Sequence, residues 1–594
     1  MRRIVNPKQT CLFDSFDPVL TDQTRKRLLN GWSGIFRHVI LELLPVEAIA
    51  GHFHPGMGRP TKELYSMAGL MLIMEFMDWT KDQALDAYCF HMDVHYALNL
   101  EPVAQELSIR TLERYIALFE EDALAQKILH EVTTHLVDLL ALRIDQQRLD
   151  STHVFSDMAQ FGRTRLMGVA IKRFLSQVKR HAPQDYQALD ETLRRRYAPS
   201  EHQLFADTAK GTDLSAVTAQ AEARRQLRQQ VAEDLYGLIR HFADRPEHTQ
   251  RSTYKAMERI FSEQCQVEEE RVTVKDKTGG SVMQNPSDPD ATYDGHKGPG
   301  YQVQIAETCH PDNEVQLITC AIPQTAAEPD PKAVAPVLED LKASKLLPEQ
   351  MLVDSAYGSD ANVCQAEQQG VEWVGPVSAG TDPSKNIHSL SIDDFVVDEG
   401  GEVVQCCPAG HVPQSSVHDV STGKTRTVMP ATACGACEYL HECPVRQGRE
   451  GFYLEHTASQ RRLAGRRREE ATEAFRQRYR LRAGIEGTNS GLKRRLGMGR
   501  VRVRGAPGVF RVLYLKITGW NILRASACAV TADRSVCDRM REIVYARALA
   551  AVLTRYLSAR RAQWLSGTVR GAPDMEFRAL FGVFGRQRPL SIAA

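Results

Sequence analysis

Arg143-Ile144-Asp145-Gln146-Gln147-Arg148-Leu149-Asp150-Ser151-Thr152-His153-Val154 reads as an extended segment, with β-branched and apolar residues along it and an acid, Asp150, toward its end. A second short apolar run, Gln350-Met351-Leu352-Val353-Asp354, also ends on an acid. Between them, Tyr301–Ala306 and Val315–Ala321 alternate apolar and polar residues around the turn Pro311-Asp312-Asn313, which predicts a hairpin. A helix is expected over Lys332–Lys345, another over Ala361–Gln369, and a last strand over Val371–Gly375. Strands alternating with helices in this order predict an α/β fold, a mixed sheet covered by helices. Residues 164–267 interrupt it with charged, helical sequence, read as an insertion or helical arm.

Upstream the chain is helical. Leu64, Met67, Ala68, Met71 and Met74 recur at helical spacing, which predicts one apolar stripe over 61–78 with Thr61 as N-cap. A second amphipathic stretch covers Lys81–Leu98. Ser108 precedes a further helix that sets Arg110 and Arg114 one turn apart, which suits the second helix of a helix-turn-helix unit on DNA; plain helical packing is the alternative. Downstream, a turn-rich, cysteine-bearing stretch runs from Ser378 to Leu454. A long basic helix is expected from Ser459 to Arg495, and helices beyond Ile522, clearest over Arg539–Leu557.

At 594 residues the chain exceeds a single core. The expected division is a helical DNA-binding region 1–140, a catalytic core in three pieces (141–163, 276–377 and 458–525), a helical insertion 164–275, a cysteine-rich insertion 378–457 and a helical end 526–594. The basic start Met1–Pro7 has no apolar stretch behind it, and Met67–Met77 is interrupted by Glu75 and too short to cross a bilayer. The expectation is a cytosolic, nucleoid-associated protein with no membrane partner. Lys+Arg and Asp+Glu both total 74, so net charge selects no partner. Distribution does: Arg461 to Arg511 holds sixteen Lys/Arg against four acids, a band suited to phosphates, although a solvated helix face gives the same pattern.

Thirteen cysteines in a cytosolic chain argue against disulfides. Cys11, Cys89, Cys309, Cys320, Cys364, Cys528 and Cys537 stand alone and read as small core residues. Cys406, Cys407, Cys434, Cys437 and Cys443 crowd together, with Cys434-Gly435-Ala436-Cys437 a CxxC pair. That spacing suits structural Zn²⁺ held by four thiolates, one of them either Cys406 or Cys407; inert reduced thiols are the alternative.

Asp150, Asp354 and Glu486 can converge if two strand ends face one packed helix. Three carboxylates give hard oxygen ligands for Mg²⁺ or Mn²⁺, which favour in-line attack at phosphorus. Taken singly, the aspartates also suit turns or caps, and Glu486 suits a pairing with Arg482. Tyr479, Arg482, Glu486 and Lys493 are spaced by three, four and seven, so they share one helical face. With Arg494 and Arg495 they form a candidate wall for DNA phosphates. Trp373 is a candidate for stacking on an unpaired base, against the plainer reading of a core tryptophan.

The spacing Tyr479-x2-Arg482-x3-Glu486-x6-Lys493 resembles the signature of cut-and-paste insertion-sequence transposases with a DDE core of RNase H type. Leu149-Asp150-Ser151-Thr152 resembles that family's first-aspartate strand. Val353-Asp354-Ser355-Ala356-Tyr357-Gly358 resembles its second, where Asp-x-Gly-Tyr is more usual, so the order here is altered. Asn285–Ala291, ahead of Gly298 and Tyr301, resembles the lead-in to the family's second strand. The resemblance covers about residues 140 to 525, and the N-terminal region looks like the group's DNA-binding portion. It implies an RNase H-like core, two-metal phosphodiester cleavage and strand transfer, terminal inverted repeats and target DNA as partners, and a homodimer that joins two ends. A non-catalytic DNA-binding descendant and a plain metal-dependent nuclease are the rival readings.

Overall fold

The computed structural model describes residues 1–5, 15–121, 123–201, 203–205, 214–269, 271–377, 390–398, 403–449 and 451–530. Cys11, Cys537 and the helix expected over Arg539–Leu557 lie outside the described residues, as does most of the expected 526–594 region. The fold is mixed α/β. Its main sheet is built from β1 (Gln146–Val154), β4 (Thr292–Asp294), β5 (Gly298–Thr308), β6 (Ile318–Thr325), β7 (Gln350–Leu352) and β8 (Glu372–Val374); β2 (Cys265–Glu268) and β3 (Arg271–Val274) make a separate hairpin. In space the strands run β6-β5-β1-β7-β8, with β4 also pairing with β5. β1 is antiparallel to β5 but parallel to β7, and β7 is parallel to β8. The expected hairpin is β5 and β6, although β6 starts only at Ile318.

Side chains alternate across this sheet. One face carries Arg148, Asp150, Val154, Tyr301, Val303 and Ile305, and Leu492 and Leu496 of helix Gly484–Arg495 pack beside Val154, Tyr301, Val303 and Ile305. From the other, Leu149, Ala306 and Met351 join one continuous core with the N-terminal helices and the helix Val334–Ala343. The N-terminal helices are therefore packed directly on the sheet's own core.

Several local expectations change. The helix expected over 61–78 runs Leu64–Phe76, and Glu63, rather than Thr61, caps it by accepting from the amides of Tyr65 and Ser66. Thr61 instead accepts from the Arg3 amide. The helix is buried all round rather than along one stripe, because Ala506–Val530 and Leu124–Leu139 lie in the same core cluster. Ser108 does cap Ile109–Glu121. Residues 98–108 separate that helix from Met92–Ala97, however, in place of the three- or four-residue turn of a helix-turn-helix. The described residues between 163 and 264 are mostly helical, from Arg163–His181 to Ser252–Gln264, and hold a core of their own around Phe174, Leu235 and Met257, but Cys265–Glu268, expected partly as helix, forms strand β2.

The long basic helix expected from Ser459 to Arg495 is broken into Ala458–Glu470, Glu473–Tyr479, a 3₁₀ turn Arg480–Ala483 and Gly484–Arg495. Thr472 starts the second piece by accepting from the Phe475 amide.

Glu75, which interrupts the apolar run, is buried for a reason visible only in three dimensions. Arg511 donates to it at 2.9 Å, and Lys516 lies 4.0 Å from its other oxygen while bonding Asp78 at 2.8 Å. Arg511 and Lys516 are themselves 2% and 3% exposed; without the acid Arg511 is left with Glu120 at 3.4 Å, whereas Lys516 keeps Asp78 and the carbonyls of Glu75 and Leu496. Glu75→Ala should cost on the order of 3–5 kcal/mol, read as a lowered denaturation midpoint. A midpoint equal to wild type would show that these charges are not coupled.

Candidate active site

Register brings the two aspartates together. β1 and β7 pair in parallel from Gln146↔Gln350 to Arg148↔Leu352. Asp150 lies two residues beyond Arg148, and Asp354 two residues beyond Leu352. Period-two alternation therefore puts both carboxylates on the same face, at the same level, on adjacent chains about 4.8 Å apart in sheet geometry. Asp150 is mid-strand, since β1 continues along β5 to Val154. Asp354 lies two residues past the end of β7 and caps the following 3₁₀ turn, accepting from the Ala356 amide at 2.8 Å.

The third acid arrives from above. Glu486 sits in the first turn of Gly484–Arg495, where a helix start favours a carboxylate. Arg482, in the 3₁₀ turn before it, meets all three acids: its Nη2 lies 3.2 Å from Asp150 and 3.7 Å from Asp354, and its Nη1 lies 3.4 Å from Glu486. Exposure is graded, with side chains of Asp150, Asp354 and Glu486 at 12%, 34% and 65%. Asp150 forms the floor and Glu486 the rim.

Charge follows this depth. The Asp150 carboxyl is raised to about 6, chiefly by burial; Arg482 and the Ser151 amide oppose the rise, and Asp354 and Glu486 add to it. Burial works against the Arg482 guanidinium, but Asp150, Tyr479, Asp354 and Glu486 hold it above its ordinary value. Tyr479 stacks on Phe475 with ring centres 5.4 Å apart; burial raises its phenol, with Asp354 and Asp150 adding to the rise. Partial desolvation, then repulsion from Lys297, lowers the Lys493 ammonium, while Asp150 and Glu486 oppose the drop. The four signature residues thus converge although the helix that carries them is broken. Arg482 is engaged with the acids, and Lys493, Arg494 and Arg495 are exposed.

Two neighbours carry no signal in the linear reading. The Asn489 amide donates to Asp150 at 3.2 Å, and its own oxygen is buried with no partner among the described residues. Lys297 reaches Ser151 at 3.3 Å from a turn that Asp294 closes by accepting from the amides of His296 and Lys297. That Asp-Gly-His-Lys-Gly turn was visible in the sequence; its place beside β1 was not. Three carboxylates and the unpartnered Asn489 amide oxygen beside them offer hard oxygen donors of the kind a divalent ion takes, with the Arg482 guanidinium drawn among the carboxylates.

Trp373 is core: it is 5% exposed and donates to the Tyr357 carbonyl at 3.3 Å. Arg110 and Arg114 are both exposed; Arg114 lies over the Phe53 ring, 5.3 Å from its centre, and lines a separate cavity of about 770 Å³ with Arg59 and Lys62. Asn285–Ala291 is structural. Asp288 accepts from Tyr301 at 2.5 Å and from the Gly505 amide at 3.1 Å, and Asp290 accepts from the Ala506 amide where Ala506–Val530 begins.

Cys407, Cys434, Cys437 and Cys443 line one pocket of about 20 Å³ together with His411. Cys406 does not line it; its thiol is directed at the Cys407 carbonyl, 3.4 Å away. The His411 amide donates to the Cys407 sulfur at 3.3 Å, and burial, then crowding by Cys443, Cys407 and Cys437, raises the Cys434 thiol to about 11. Among the described residues, one set of three His, Cys, Asp or Glu side chains gathers its ligand atoms within 4.8 Å of one another: Asp185, Glu247 and His248, in the helical arm; neither the triad carboxylates nor the cysteine thiols draw that close. There Asp185 is already shared between His248 at 2.7 Å and Arg245 at 2.9 Å, an ion-pair staple.

Residues 406–525 match a family model described as "Transposase DDE domain". The match includes the cysteine pocket and Glu486; Asp150 and Asp354 lie upstream of it. No curated protein matches the chain. A solved structure with some similarity is a cryo-EM structure of a piggyBac transposase synaptic complex with hairpin DNA. It is 9% identical, covers 72% of this chain and 77% of that one, and superposes with a TM-score of 0.19. Among the described residues, no helix is long and apolar enough to cross a membrane.

The raised Asp150 carboxyl has a measurable consequence in metal-free protein. Its folded value, about 6, exceeds the ordinary 3.8, so the fold prefers the proton. Stability from this group is full below the ordinary value and is lost as pH rises toward 6. Relative to Asp150→Asn, wild type should lose stability on the order of 3 kcal/mol at most across that window, seen in denaturation midpoints from pH 4 to 7. Parallel pH curves for the two proteins would refute the buried, charged floor.

Proposed function

We propose that this chain is a DDE transposase that cuts DNA at the terminal inverted repeats of a mobile element and joins the freed ends to target DNA. The observation that carries the reading is the meeting of Asp150, Asp354 and Glu486 around the single guanidinium of Arg482. The match of residues 406–525 to a transposase DDE domain supports a transposase. The strand order β6-β5-β1-β7-β8, with β5 antiparallel and β7 parallel to β1, supports an RNase H-like core.

In this reading Asp150, Asp354 and Glu486 hold Mg²⁺ or Mn²⁺, and Asn489 orients Asp150. When bound, the divalent ions activate an attacking oxygen and stabilise the leaving one. Arg482, relieved of its carboxylate partners, is then free to pair with a phosphate. Lys493, Arg494, Arg495 and Lys297 line the phosphate path, and Tyr479 offers a hydroxyl to a phosphate or sugar. Arg110 and Arg114 are proposed as DNA contacts away from the triad. A homodimer brings two element ends together.

Asp150→Ala, Asp354→Ala or Glu486→Ala should each lower Mg²⁺-dependent cleavage of the DNA flanking the coding sequence by about 1000-fold or more, roughly 4 kcal/mol of transition-state stabilisation. Gel-shift affinity for the same DNA should stay nearly intact. Wild-type cutting by Asp354→Ala would sink the assignment, and cutting without strand transfer would make the protein a nuclease.

For the second metal, we propose that Cys407, Cys434, Cys437 and Cys443 hold a structural Zn²⁺, with Cys406 outside the set. Purified protein should carry about one zinc per chain. Cys407→Ser and Cys434→Ser should lose it and melt at lower temperature, whereas Cys406→Ser should retain both metal and melting point. Zinc loss from Cys406→Ser, read by elemental analysis, would reverse this choice.

A further inference from the structure

Beneath the triad, a buried ion pair ties the sheet to the segment that carries Arg482 and Glu486. Arg148 precedes Asp150 by two residues on β1, so both share one face. Its Nε and Nη2 donate to Glu307 at 2.8 and 2.5 Å, across the β1–β5 ladder where the two residues are register partners. Glu307 is fully buried and the Arg148 side chain is 10% exposed.

Both groups also reach out of the sheet. Arg148 Nη1 donates to the Leu481 carbonyl at 2.8 Å, and the Thr488 hydroxyl donates to the second oxygen of Glu307 at 2.7 Å. Leu481 adjoins Arg482, and Thr488 lies two residues past Glu486. The pair therefore holds the segment on both sides of the third acid. Gly484, between those two anchors, is a second sign that the chain is shaped around the guanidinium. A Cβ at Gly484 would collide with Arg148.

A buried ion pair adds little net stability, since desolvation offsets most of the attraction, and apolar residues of similar size hold a core equally well. What apolar residues lack is direction. The planar fork of an arginine fixes the angle as well as the distance between the groups it joins. We infer that Arg148 and Glu307, with Gly484 as the seat of the guanidinium, are positioning residues that set how far Glu486 stands from Asp150 and Asp354. The inference rests on the reading of the triad as a divalent-metal site.

The test uses the full chain, Mn²⁺ titration followed by electron paramagnetic resonance, and thermal unfolding of the same samples. The double variant Arg148→Met/Glu307→Leu should melt close to wild type yet bind Mn²⁺ about 10–100-fold more weakly, the usual cost of losing groups that orient metal ligands. A purely structural role would instead lower the melting temperature. Wild-type Mn²⁺ affinity in the folded double variant would overturn the proposal. Should that variant fail to fold, Gly484→Ala decides, because it keeps every charge and disturbs only the seat; unchanged Mn²⁺ affinity there would also overturn it. Asp150→Ala separates the two ideas. If it binds Mn²⁺ like wild type, the metal-site reading itself fails. If it loses Mn²⁺ while the double variant keeps it, only the positioning role falls.

Discussion

Asp150, Asp354 and Glu486 repel one another, and it is the Arg482 guanidinium that lets them share one end of a sheet. Carboxylates gathered at one point are costly, most of all for the buried Asp150, unless an opposite charge lies among them. The parallel pairing of β1 and β7 levels the two aspartates, the broken helix lowers Glu486 toward them, and Arg482 balances the set. The buried, proton-favouring Asp150 and the exposed Glu486 are two ends of that one gradient.

Much of this was legible from the linear chain, for identifiable reasons. A short apolar run that stops at an acid announces a strand with a carboxylate at its mouth, and the run into Asp354 carries that signal; Asp150 instead sits within an extended segment that continues to Val154. Glu486 stood out because Tyr479, Arg482 and Lys493 surround it at helical intervals. The break in the helix was less legible. Residues 458–495 are rich in good helix formers, and the turn at 480–483 accompanies a contact from far away, in which Arg148 takes the Leu481 carbonyl. Only Thr472, a capping residue ahead of Phe475, marked a boundary within the sequence itself.

The choice between Cys406 and Cys407 illustrates a different limit. Adjacent residues on extended chain point to opposite sides, so one of the two had to face away, but composition cannot say which. The turn that closes Cys407 against His411 brings Cys407 to the pocket shared with Cys434, Cys437 and Cys443. Lys297 and Glu307 were missed for the same kind of reason. Their chemistry is ordinary, and only register across β5 and the neighbouring turn brings them to β1.

The ionic lock inside the core has a bearing on how the chain reaches its folded state. Glu75 meets Arg511 and Lys516 across more than four hundred residues of sequence. During synthesis at about 5–20 residues per second, the early helices must wait on the order of tens of seconds for those cations to emerge. Until then the first helical layer holds an acid and a broad greasy surface without cover, a state that invites chaperones or self-association. The nascent protein is thus committed to its native form only once Arg511 and Lys516 have emerged.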